Sequence, residues 1–185
     1  KAMAATKSAG LPRTFFDVND MMNGYAKNAY PYTPAVGLLN GLSQSCTLLL
    51  EEGLENVFAR HHRIAEGVRH AIKAWGLELC AADPSVYSDT VSAIRTPADF
   101  DAMDIVTHAA EKYGVAFGVG LGEVAGKVFR IGHLGSLTDV MTLSGIATAE
   151  MCMVDLGLNI TLGSGVAAAQ KYYSGSSIVS QKDAA

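Results

Sequence analysis

The chain has 185 residues, 49% of them apolar and 17% charged. That is ample for one good-sized domain, or one domain and a piece of another, and far from a disordered composition. The formal net charge of −4, with no cluster of lysine and arginine, argues against a nucleic-acid or anionic-membrane partner, and no apolar run approaches the roughly 20 residues that cross a bilayer.

Taken in order, residues 1–8 read as the end of a helix closed by Gly10 and Pro12. Because the first residue is Lys1 rather than Met, the chain is expected to lack residues at its front. The polar stretch 14–30 has no clear period. Tyr30-Pro31-Tyr32-Thr33-Pro34 follows as a stiff segment, since each proline forces extended backbone on the residue before it. Thr33 is placed to cap the next helix, and a helix N-terminus beside the hydroxyls of Tyr30 and Thr33 could hold a phosphate. The plainer alternative is a capping threonine among packed tyrosines.

Residues 36–52 predict a buried helix, apolar on most sides, ended by Gly53. In 54–75 the apolar positions Val57, Ile64, Val68, Ile72 and Trp75 recur at the helical period. His61 and His62 are adjacent there, about 100° apart around a helix and without a Cys or acidic partner at ligand spacing, so they predict a solvated face rather than a metal site. After Gly76 come short strands at 77–80 and 90–95, with an Asp83-Pro84 turn between them. An amphipathic helix over 101–113, a strand at 115–117, a glycine-rich loop, a strand at 128–131 and a long helix to about Leu156 complete the pattern. The last helix is capped by Ser136 or Thr138. The order ββαββα predicts a small α+β layer, a mainly antiparallel sheet with helices on one face. Residues 174–185 read as a frayed tail. Cys46, Cys80 and Cys152 are few, distant and set among apolar neighbours. They predict buried thiols in a reducing compartment, here the cytoplasm, rather than disulfides or a metal site.

The stretch 118–135, GVGLGEVAGKVFRIGHLG, concentrates the chemistry. In a strand over Val128–Ile131, Arg130 shares a face with Val128 and Gly132, while Phe129 and Ile131 point into a core. A guanidinium beside a residue without a side chain leaves room for a small planar anion, and its fork matches a carboxylate. The bland alternative is a surface or salt-bridged arginine on an edge strand. The glycine run precedes a strand instead of opening a helix, which fits neither a P-loop nor a dinucleotide fingerprint.

The segments EEGLENVFARHHRIAEGVR (51–69), AWGLELC (74–80), GLGEVAGKVFRIGHLG (120–135), PYTPA (31–35) and GSGVAAAQ (163–170) resemble the C-terminal half of the class V, fold-type I glyoxylate aminotransferases. The serine–glyoxylate and aspartate–glyoxylate branch is the most similar. This resemblance implies pyridoxal 5′-phosphate (PLP) as cofactor and a homodimer with active sites at its interface. It implies that residues 1–53 end a large PLP-binding domain, with 54–173 forming a small α+β domain. It assigns Arg130 to the substrate α-carboxylate, and Tyr30 and Thr33 to the cofactor phosphate of the neighbouring subunit. Lys127, three residues from Arg130, falls in a small-domain loop as an exposed or carboxylate-pairing lysine. The family's Schiff-base lysine lies upstream of residue 1, so the chain alone is not expected to catalyse the reaction. Aspartate, serine and alanine are the donor candidates, with glyoxylate as acceptor. A cysteine desulfurase would need a cysteine on a mobile loop, which Cys46, Cys80 and Cys152 do not offer. From a different class, a non-catalytic, dimerising α+β module that binds an amino acid through Arg130 also fits the residues.

Overall fold

A computed structural model describes residues 1–176. Two compact units divide the chain, Lys1–Leu48 and Leu49–Ala185. The first holds helices α1 (Ala2–Ala5) and α2 (Val18–Tyr25) and most of α3 (Val36–Glu52). Helix α2 was not expected from the sequence. Its start is fixed by Asp17, whose carboxylate accepts the Asn19 N–H at 2.9 Å. Helix α3 forms where its apolar residues predict a helix, but it is not buried. Leu38, Leu42 and Leu50 are 78%, 61% and 70% exposed, and none of its residues is buried. An apolar helix buries only if another element covers it, and within its own unit none does.

The second unit is built on α4 (Leu54–Ala74), followed by β1 (Glu78–Leu79), β2 (Val91–Arg95), α5 (Ala102–Tyr113), β3 (Gly118–Val119), β4 (Val128–Gly132), α6 (Asp139–Asp155) and α7 (Ser164–Gly175). The four strands form one antiparallel sheet in the order β1-β2-β4-β3. Ile94 of β2 and Phe129 and Ile131 of β4 face one side. There they join Ile64, Val68 and Ile72 of α4, Trp75 just after it, Ile105 and Ala109 of α5, and Ile146 and Met153 of α6 in a single core. The helical period of α4 is thus read out as burial, and the helices cover one face of the sheet as predicted.

Caps set the helix ends. Asp101 accepts the Met103 N–H at 2.9 Å to start α5, and Thr138, rather than Ser136, accepts the Met141 N–H at 3.3 Å to start α6. The strand expected at 115–117 begins three residues later, at Gly118–Val119. Phe117 gives its ring to the core, edge-on to Phe129 at 6.0 Å between centroids, and the ladder with β4 begins only after it.

Helix α7 is the element the sequence hid, because an Ala-, Gly- and Ser-rich segment carries little apolar periodicity. It packs against α4 through Tyr173, whose hydroxyl donates to the Ile64 carbonyl at 2.8 Å. Ser174 and Gly175, expected at the head of a frayed tail, form its last turn, Ser176 ends it, and residues 177–185 of that tail lie outside the described residues.

Candidate carboxylate-binding site

Strand β4 is central, with β2 on one flank and β3 on the other, so Arg130 is not on an edge strand. The pleat sends Phe129 and Ile131 into the core and leaves Arg130 half-buried on the opposite face. Its register partners are Ala93 on β2 and Gly118 on β3, two of the smallest side chains available. The guanidinium therefore lies over Gly118: a Cβ built there would stand 3.1 Å from Arg130 Nε and 3.5 Å from its Cζ. The Nε is buried and has no hydrogen-bond partner among the described residues. Leaving a charged donor unsatisfied is costly, and a planar anion is the ligand that fits it.

The chain just past Arg130 is tied down on several sides. His133 is 1% exposed. Its backbone N–H donates to the Thr90 carbonyl at 2.9 Å, and its Nδ1 lies 3.2 Å from the Asp89 carbonyl. A carbonyl only accepts, so Nδ1 carries the proton and Nε2 takes the Ser92 hydroxyl at 2.9 Å. Burial keeps this imidazole below its usual pKa.

His61 does the same from α4. Its Nδ1–H donates to the Val57 carbonyl at 2.7 Å, and its Nε2 accepts the Gly135 N–H at 2.9 Å. The expected solvated His61-His62 face is corrected at His61, whose ring turns to the β4 exit loop. His62 is exposed and faces the Asp89 carboxylate at 3.1 Å. Arg60 adds a 2.6 Å bond to the Gly135 carbonyl while its guanidinium grips Glu52.

Tyr30 and Thr33 belong to the first unit, and Arg130 to the second. Tyr30 is 68% exposed and borders an apolar hollow of about 750 Å³ with Met21, Met22, Tyr25 and Pro31. Thr33 is exposed, and α3 begins only at Val36, so its hydroxyl does not occupy the expected capping position. Lys127 is exposed and donates to the Glu123 carbonyl at 3.1 Å.

The three cysteines are unpaired, but they are not uniformly buried: Cys152 is buried, Cys80 half-buried and Cys46 exposed on α3. The expectation for Cys46 fails with that for α3 as a whole. Among the described residues no group of three His, Cys, Asp or Glu side chains could hold a metal ion, and no helix is long and apolar enough to cross a membrane.

Two features went unread in the sequence. Ser92 and His133 are separated by 41 residues and become neighbours only through strand pairing. Glu150, a lone acid inside the apolar run of α6, is 1% exposed and caps α7. An acid in such a run, followed by GSG, was the available signal.

No protein-family model matches the chain. It is 69% identical over all 185 residues to an L-aspartate–glyoxylate aminotransferase of Paracoccus denitrificans (strain Pd 1222), covering 47% of that protein. It is 52% identical over 169 residues, 91% of the chain and 42% of the relative, to a serine–glyoxylate aminotransferase of Hyphomicrobium methylovorum. Among solved structures, the ureidoglycine–glyoxylate aminotransferase of Bacillus subtilis superposes with a TM-score of 0.80 at 26% identity, over 92% of this chain and 44% of that one. The chain spans about half the length of the curated relatives it matches. By sequence and by fold, it corresponds to the C-terminal half of the class V, fold-type I glyoxylate aminotransferases.

Proposed function

We propose that this chain is the substrate-carboxylate-binding part of a PLP-dependent aminotransferase that moves an amino group from a small L-amino acid to glyoxylate, giving glycine and a 2-keto acid. Aspartate or serine is the favoured donor, with alanine third. The observation that carries the reading is Arg130, a half-buried guanidinium on a central strand, flanked by Ala93 and Gly118 and with its Nε unsatisfied. Donor and acceptor both carry an α-carboxylate, so one arginine serves both half-reactions.

The residues present fit the cofactor. Arg130 is free of a partner at Nε, and the exposed hydroxyls of Tyr30 and Thr33 are available to a phosphate from a second subunit. PLP, when bound, supplies the electron sink that lets an amino acid lose its Cα proton. The contribution of Arg130 is orientation: by fixing the carboxylate it fixes which Cα bond stands perpendicular to the ring. The exposed leucines of α3 mark an interaction face, covered in this reading by the rest of the large domain and the second subunit of a homodimer. In this reading residues 1–53 complete a large domain, 54–173 form the small domain, and the lysine that holds the cofactor comes from the preceding sequence. The compartment in this reading is the reducing cytoplasm, which suits few and widely spaced cysteines.

Arg130→Ala in the full-length enzyme is expected to raise KM for donor and glyoxylate together, lowering kcat/KM by about 2–5 kcal/mol. Steady-state kinetics with both KM values unchanged would remove the carboxylate role. A full-length protein without a visible absorption band that responds to amino donors would instead favour a non-catalytic binding module.

A further inference from the structure

We infer that Gly118 is a positioning residue for the substrate carboxylate, acting through Arg130; this rests on the carboxylate role proposed above. Gly118 and Arg130 are direct register partners on β3 and β4. A Cβ at 118 would lie 3.1 Å from both the Cβ and the Nε of Arg130. Approaches of 3.1 Å are tighter than nine in ten real Cβ contacts, so the neighbour must give by a few tenths of an ångström.

The strand has little freedom to do so. On one side of Gly118 the Phe117 ring is seated against Phe129 in the core. On the other, the Gly120 N–H donates to the Val128 carbonyl at 2.9 Å, and a side chain at 120 would run into the Val124 carbonyl. Arg130 Cβ is equally fixed, since β4 is paired on both sides. The freely rotating part of the contact is the guanidinium. A side chain at 118 therefore displaces it from the surface of β3 and rotates the fork away from the carboxylate. Gly118 acts by the room it leaves: it lets a long cation recline across the neighbouring strand in one defined pose, where Ala93 crowds it as little from the other flank. Misplacement of a binding group by a fraction of an ångström is felt in how well substrate is held and aligned.

The test is a double-mutant cycle in the full-length holoenzyme, pairing Gly118→Ala with Arg130→Ala, which removes the Nε and Cζ that a methyl group at 118 would meet. Two quantities are read for each variant: KM for donor and glyoxylate, and the Kd of glycolate, a non-reacting hydroxy acid of the same length as glyoxylate, by titration calorimetry. With Arg130 present, Gly118→Ala is expected to raise both by about fivefold, with kcat falling less; in the Arg130→Ala background the same change should alter neither by more than about twofold. Equal effects in the two backgrounds, or none with Arg130 present, overturn the proposal. A Gly118→Ala protein too unstable to purify also overturns it, because the strain would then be absorbed by the strand. If Arg130→Ala leaves KM unchanged, the underlying carboxylate reading has failed instead, so the two failures are told apart.

Discussion

Replacing Glu150 by Gln tests how α6 and α7 are joined. The Glu150 carboxylate reaches the start of α7 from the middle of α6. Oε1 accepts the indole N–H of Trp75 at 2.8 Å and the backbone N–H of Gly165, while Oε2 accepts the Gly163 N–H at 3.0 Å. A side chain at 165 would collide with the Trp75 ring, so only glycine lets the carboxylate and the indole meet there. In Glu150→Gln one acceptor oxygen becomes an NH₂ group. With the amide oxygen kept at the Oε1 side, Gly163 loses its acceptor and faces another donor, a loss of about 1.5–3 kcal/mol for a charged hydrogen bond. The two bonds that remain weaken from charge-assisted to neutral, roughly halving each. The favourable placement of negative charge at a helix N-terminus, up to about 2 kcal/mol in a partly buried setting, also goes. These contributions overlap, and together they give about 3–4 kcal/mol.

That is a large share of the roughly 5–15 kcal/mol holding a typical domain together. Trp75 is the only tryptophan, so its fluorescence reports the site directly during urea unfolding. With an m-value of about 2–3 kcal/mol/M, the midpoint should fall by about 1–2 M. A loss under about 0.5 kcal/mol, the range of an ordinary surface substitution, would show that the carboxylate is not what holds α7 to α6.

Acidification should weaken the second unit through His133. Burial holds its folded-state pKa below the ordinary 6.5, so below that pH the unfolded chain binds more protons than the folded one. Stability is therefore complete above about 6.5 and is lost as the pH falls toward the depressed folded value. Asp89 and Arg69, the charged groups facing the ring, are ionised on both sides of that window. Urea midpoints from about pH 8 to 5 should fall in the native chain and fall less in His133→Asn; identical slopes would discount the ring. Thiol labelling should report the burial of Cys152, which is pushed up to about 11 and reacts only on unfolding. Labelling of Cys152 under native conditions as fast as in urea would contradict its burial.

Local sequence determined the helices with strong periodicity and the alternation that sends Phe129 inward and Arg130 outward, and narrowed the α6 cap to Ser136 or Thr138, because each depends on residues within a turn or a pleat of one another. It did not determine α7, whose alanines and glycines carry no period, nor the exposure of α3, since burial depends on what covers a face. It also failed at His61 and Glu150, each of which reads as an isolated polar residue. Their partners, Gly135 for one and Trp75, Gly163 and Gly165 for the other, are distant in sequence or beyond a chain reversal. The contact of Gly118 with Arg130 likewise exists only once β3 and β4 have paired in register. Tertiary structure alone decides such contacts, because a hydrogen bond or a steric limit between distant residues has no signature until the backbone brings them within a few ångströms.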